Sequence, residues 1–145
     1  MIPVPIRQLM PSLQVSGWTA TSEVTFTLED LRRLVALALA RIEVDEAWYL
    51  RQYPDVQEGI DRGEAQSATD HYRNTGFLEG RLPAEPVIDE DWYRAVNADV
   101  AAAVRSGLYP DGKQHFIEAG YVEGRLGQPG GRPIPRRSTP GRGPG

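Results

Sequence analysis

Residues 45–82 read DEAWYLRQYPDVQEGIDRGEAQSATDHYRNTGFLEGRL, and residues 89–126 read DEDWYRAVNADVAAAVRSGLYPDGKQHFIEAGYVEGRL. The two stretches align without a gap at an offset of 44. Thirteen positions are identical, among them Trp48/Trp92, Tyr49/Tyr93, Asp55/Asp99, His71/His115, Gly76/Gly120 and Arg81/Arg125. Identity in rare residue types without an insertion marks an internal duplication. Two copies are fewer than the three or more that a free solenoid generally needs. The pair is therefore expected to lean on the segment before it or on another chain.

Each copy reads as three short helices. Asp45 and Asp89 are placed to cap a first helix, since a carboxylate there accepts an early backbone N–H. Pro54 closes the first helix of copy one, because the residue before a proline avoids the α region. Asn97-Ala98 stands at that place in copy two, which predicts a softer break. A second helix starts at Asp55 or Asp99 and stops near Gly63 or Gly107. Ser67 and Asp111 cap a third helix, and Gly76 and Gly120 suit a left-handed C′ position, with the following aromatic folding back on the last turn.

Outward from the repeats, Thr27-Leu28-Glu29-Asp30 resembles a capping box with Asp for Glu. Leu28, Leu31, Val35, Ala38 and Ile42 recur at helical spacing, and Leu34 and Leu39 widen the stripe. The reading is an amphipathic helix over 27–43. It serves either as a core helix packed on the repeats or as a face that pairs with a partner chain. Residues 1–26 read as an extended arm, with a short hairpin around Ser16–Gly17 as one form it can take. Residues 127–145 hold eleven Gly or Pro in nineteen and read as a flexible tail. The fold class is thus mainly α. It is a tandem pair of three-helix repeats (44–87 and 88–126) packed on an N-terminal helix, with an arm and a Gly/Pro-rich tail.

The 145 residues amount to about one domain. With no cysteine, the chain lacks disulfides, thiolate nucleophiles and Cys-type metal sites. The net charge is −4, split into −8 over residues 1–126 and +4 over the tail. An acidic body argues against nucleic acid as the main partner. The basic tail is a solvated end or a contact to phosphate or an acidic protein. The longest uncharged run in the main apolar helix, Leu34 to Ala40, is far short of the ~20 apolar residues that span a bilayer. The proline-broken amino end does not read as a signal peptide, so the expectation is cytoplasmic synthesis with a possible place in a particle or surface-directed assembly.

His71 and His115 attract a catalytic reading, as the base of a small enzyme. Each needs a partner within hydrogen-bond reach, and catalytic sets are rarely doubled in a small chain, whereas folding determinants are doubled by construction. Packing or capping is the preferred role. Two histidines without further ligands do not read as a metal site, and no cofactor is expected. Arg81 and Arg125 are read as buried bidentate partners of a carboxylate in their own copy, Asp45 or Asp55 in the first, with anion binding as the sharper alternative. Trp48-Tyr49 and Trp92-Tyr93 are about 100° apart on a helix, so both members cannot point inward. An exposed member suits sugar stacking or a protein contact, and half-burial in a small core is the competing view.

The pattern Asp-Glu-x-Trp-Tyr, Pro-Asp-Val, His-Tyr, Gly-x-x-Glu-Gly-Arg resembles a short repeat that accompanies bacterial glycosyltransferases of surface-polysaccharide synthesis and some exported repeat proteins. It is carried by Trp48, Tyr49, Pro54, Asp55, Val56, His71, Tyr72, Gly76, Glu79, Gly80 and Arg81. In copy two it lacks the proline and has Phe116 for tyrosine. The resemblance implies an accessory module with no catalytic residues to transfer. The resulting expectation is a non-enzymatic structural or adaptor subunit of a bacterial assembly, linked to the cell surface or its polysaccharides, for example a phage-like particle decoration. Protein partners would engage the arm, the apolar helix face and the tail, and a homo-oligomer is one form of this. The alternative is a carbohydrate-binding module using exposed Trp-Tyr pairs.

Overall fold

A computed structural model describes residues 5–131 of the chain, which is mainly helical. The chain divides into two compact units, Met1–Glu85 and Pro86–Gly145.

The first unit begins with α1 (Ile6–Leu9), a single turn that follows Pro5. The arm read as extended is therefore partly helical: Pro5 supplies a fixed φ just before the turn, a place where proline is tolerated. Strands β1 (Gln14–Val15) and β2 (Val24–Thr25) then pair antiparallel, Gln14 against Thr25 and Val15 against Val24. Helix α2 (Leu28–Ala38) is capped by Thr27, whose hydroxyl accepts from the Asp30 amide at 3.2 Å. The capping box is closed through a third residue. The Asp30 carboxylate accepts from the Ser12 amide (2.7 Å) and hydroxyl (2.5 Å), and the Ser12 hydroxyl accepts from the Thr27 amide at 2.8 Å. Asp30 is buried, and the Ser12 hydroxyl bond, ahead of the desolvation that opposes it, holds its carboxyl below the usual range.

Helix α2 is shorter than the 27–43 reading. After Ala38 the backbone tightens, with Ala40 N–H donating to Leu37 O and Ile42 N–H to Leu39 O. The carbonyls this frees are taken by a side chain: Arg73 Nη2 donates to Ala40 O (2.9 Å) and Ile42 O (3.2 Å). A guanidinium at a helix C-terminus satisfies carbonyls that an added turn would otherwise satisfy. Helix α2 packs against the segment Tyr72–Gly76 of the same unit. Its stripe is only partly covered, because Leu28, Leu34 and Ile42 remain exposed, and Leu37 is exposed on another face.

The repeat helices follow as α3 (Glu46–Gln52), α4 (Pro54–Asp61) and α5 (Ala68–His71), and in the second unit as α6 (Glu90–Val96), α7 (Ala98–Arg105) and α8 (Gly112–His115). All four expected side-chain caps are present. Asp45 accepts from Trp48 N–H, Asp89 from Trp92, Ser67 from Asp70 and Asp111 from Gln114, at 2.7–3.0 Å. Pro54 is the first residue of α4. The break before α7 is no softer: Asn97 sits at φ −123°, ψ 83° against Tyr53 at φ −125°, ψ 76°. Its side-chain amide donates Nδ2–H to Tyr93 O at 2.8 Å.

The third helix departs from the reading in both copies. It widens into one π-helical turn, Tyr72–Gly76 and Phe116–Gly120, closed by Phe77 N–H to Tyr72 O and Tyr121 N–H to Phe116 O. Gly76 and Gly120 are not left-handed. The left-handed glycines of the two repeats are Gly63, Gly80, Gly107 and Gly124, with φ of 73–79°. Each ends a helical stretch in a Schellman motif, for example Gly80 N–H to Phe77 O with Arg81 N–H to Gly76 O.

Each core is built on matched positions. Tyr49, Val56 and Tyr72 are buried in the first unit, and Tyr93, Val100 and Phe116 in the second. The first-helix tyrosine meets the ring of the third helix edge to face, with centroids 6.0 Å apart for Tyr49–Tyr72 and 5.7 Å for Tyr93–Phe116. Residues 127–131, read as the start of the tail, belong to the second unit, where Asp89 N–H donates to Gly127 O at 3.0 Å. The remainder of the tail, 132–145, lies outside the described residues.

Candidate functional site

The duplicated residues converge on one arrangement per unit. Burial of the first-helix tyrosine places its hydroxyl under the third helix, where it meets the histidine. Tyr49 OH lies 3.1 Å from His71 Nδ1, and Tyr93 OH lies 3.0 Å from His115 Nδ1. A Cβ at Gly76 would overlap the Tyr49 hydroxyl, and one at Gly120 the Tyr93 hydroxyl. The glycine is thus required by the tyrosine.

Burial governs the electrostatics. Desolvation pushes the Tyr49 phenol well above its ordinary value and the Tyr93 phenol up to about 12. Desolvation, and then the Arg81 charge, lower His71. Each change favours the neutral form, so the Tyr49–His71 contact is a hydrogen bond between uncharged partners. His71 is half-buried, whereas His115 is 6% exposed under the edge of the Tyr109 ring, 4.9 Å away. Ala65 occupies the corresponding place in the first copy, so that cover is absent there.

The arginines close the other side of each unit. Arg81 donates to both oxygens of Asp55 at 3.0 and 2.7 Å, and Arg125 to both of Asp99 at 2.9 and 2.6 Å. Nε of each also donates to Glu79 or Glu123. Of the two candidates in the first copy, the partner is Asp55. The contact is not fully buried: each arginine side chain is 19% exposed, but Asp55 is 60% and Asp99 62% exposed. Bidentate bonding still lowers the Asp99 carboxyl to about 2, and lowers Asp55 in the same direction. Arg81 also lies over the Tyr53 ring at 4.9 Å. Where copy two has Asn97 in place of Tyr53, Asn97 Oδ1 accepts from Arg125 Nη1 at 3.0 Å.

Two glutamates act between helices. Glu46 accepts from the amide and hydroxyl of Thr69 at 3.0 and 2.7 Å, and Glu90 accepts from the Gly112 and Lys113 amides at 2.6 and 3.0 Å. A glutamate on the first helix therefore caps the start of the third. The signal available was its identity in both copies.

The aromatic pairs do not form the exposed platform that sugar stacking requires. Trp48 is 7% exposed against the edge of Tyr53, Tyr49 and Tyr93 are fully buried, and Trp92 is half-buried. The exposed indole is instead Trp18, at 91%, in the loop between β1 and β2. A cleft of about 610 Å³ lies along residues 40–44 beside Thr69 and Arg73, and one of about 240 Å³ lies beside Ile88, Phe116 and Leu126 in the second unit. Neither is lined by a histidine or a tryptophan. Among the described residues no three His, Asp or Glu side chains gather to hold a metal ion, and no helix is long and apolar enough to cross a membrane.

No protein-family model, no curated protein and no solved structure matches this chain.

Proposed function

We propose that the protein is a non-enzymatic structural or adaptor subunit of a larger bacterial assembly connected with the cell surface or its polysaccharides, such as a particle decoration. One observation carries the reading. The titratable residues shared by the two copies are engaged in matching internal contacts, Tyr with His and Arg with Asp and Glu. Groups so engaged shape a fold, and what a partner meets is the remaining surface. In the first unit that surface includes the exposed side chains of Leu28, Leu34, Leu37 and Trp18.

Light scattering of the purified chain, followed by pull-down with and without residues 132–145, tests this. The expected result is self-association or a stoichiometric partner, weakened by Leu34→Ser/Leu37→Ser or by loss of the basic residues. A strict monomer that captures nothing contradicts the reading.

A further inference from the structure

Leu82 and Leu126 hold matched positions, yet Leu82 is 8% exposed and Leu126 only half-buried. The copies differ beside this leucine. Tyr53, whose hydroxyl accepts from Leu82 N–H at 3.1 Å, is replaced by Asn97, which bonds to Tyr93 O and Arg125 instead. Beside Leu126 lies the cleft of about 240 Å³, walled by Ile88, Phe116 and Tyr121. The chain end is laid along it. Asp89 N–H holds Gly127 O, and a Cβ at Gly127 would overlap Ile88 Cδ1, so the backbone presses on the cleft wall. Residues 128–131 then turn, with Gly130 at φ +75° and Gly131 N–H donating to Gln128 O at 3.3 Å. Gly131, the last described residue, lines the same cleft. The first unit has α2 packed on Tyr72–Gly76, whereas the second unit has no helix before α6.

We propose that the chain's own tail straps back over this cleft, with Ile134 seated between Ile88, Phe116 and Leu126. Ile134 is the one large apolar side chain in residues 132–145. It stands three residues past Gly131, a reach of about 10 Å of extended chain from the cleft rim. Pro133 and Pro135 restrict the residues before them to extended conformations, so little chain entropy is lost on docking. Extended, proline-bearing segments suit grooves lined by aromatic rings, here Phe116 and Tyr121. The charges agree as well. Residues 86–131 hold seven acidic and four basic side chains, a net −3, against the four arginines and no acid of residues 132–145. Arg125, which borders the cleft, is paired to Asp99 and Glu123, so its clasp carries a net −1 toward the tail. The tail of a second copy has the same chemistry, but a tether this short gives the chain's own segment an effective concentration on the order of millimolar.

The absence of cysteine makes the test direct, because Ser138→Cys in the full chain carries a single nitroxide spin label. Amide signals are read by nuclear magnetic resonance with the label oxidised and then reduced. The expected result is loss of the Ile88, Phe116 and Leu126 signals in the oxidised state and their return on reduction. Adding Ile134→Ser to the labelled chain restores the signals, and Ile134→Leu keeps them suppressed. A mixture of spin-labelled chain and isotope-labelled chain without the nitroxide shows no suppression. Signals that are unaffected by the label overturn the inference. Suppression that Ile134→Ser leaves in place and salt removes overturns it in favour of charge contact alone. Suppression in the mixture overturns it in favour of a second copy's tail. The inference stands apart from the adaptor reading: a strapped monomer without a partner supports this one and contradicts that one, and a partner bound by a chain whose tail is free does the reverse.

Discussion

Gly120 and Gly107 occupy helix ends in the same copy for different reasons. Gly107 has φ +79° and nothing within 4 Å of where a Cβ would sit, so its requirement is backbone conformation alone. Gly120 ends the π-helical turn without a left-handed φ, and its requirement is the Tyr93 hydroxyl. Gly107→Ala is expected to cost about 1–2 kcal/mol from left-handed strain, whatever is done to Tyr93. Gly120→Ala is expected to cost about 1–3 kcal/mol by overpacking, and Tyr93→Phe should give back part of that cost by vacating the space. A double-mutant cycle read by urea unfolding checks this. Coupling of about 1 kcal/mol between positions 93 and 120, and none between 93 and 107, is the expected outcome. The sequence pattern makes Gly120 look like a C′ residue, because a glycine before an aromatic near a helix end fits that rule, whereas Gly107 reads simply as a helix stop. The feature that distinguishes them is a hydroxyl delivered by another helix, which no local pattern carries.

The helices show which determinants are local. Caps were legible because Asp45, Asp89, Ser67 and Asp111 act within one turn of themselves. The break at Asn97 matches the first copy's backbone geometry without a proline, and Asn97 is held there by side-chain bonds to Tyr93 O and Arg125, the second of which depends on the fold. The early end of α2 has a similar cause, since the carbonyls of Ala40 and Ile42 just past it are satisfied by Arg73 from the first repeat. The arginine–carboxylate clasp that ties the last turn of each unit to its second helix makes a pH prediction. The Asp99 carboxyl is about 2 in the folded protein against 3.8 as a free group. Its contribution to stability is thus complete above pH 3.8 and is lost as the pH falls through 2. Asp99→Asn should lower stability near neutrality and flatten the acid limb of the second unit's unfolding profile. Circular dichroism against pH, on both proteins, checks it. The carboxylate is solvent-exposed, so raised salt should shrink the difference.

For the whole chain, the mainly helical class and the duplication were readable because periodicity, caps and turn glycines recur at one offset. The exposure of individual aromatics was not. Helical spacing says that Trp48 and Tyr49 differ in direction, but both are buried, because Tyr53 and the third helix cover them from two sides. Trp18 lies in the stretch read as an arm or a short hairpin around Ser16–Gly17, a reading that does not fix which way its side chain faces. Its exposure follows from a loop bonded to itself through Ser16, Thr19 and Ser22. The account therefore divides the molecule into doubled side chains that hold each unit together and surface groups left to meet partners. Amide hydrogen exchange of His115→Ala in the full chain tests that division most directly. The variant removes a buried ring, its bond to Tyr93 and its contact with Tyr109. The account predicts that protection of the α6–α8 amides falls by a factor of ten or more, about 1.4 kcal/mol or greater. Unchanged protection there would mean that the histidine is not a structural element, and the division would fail.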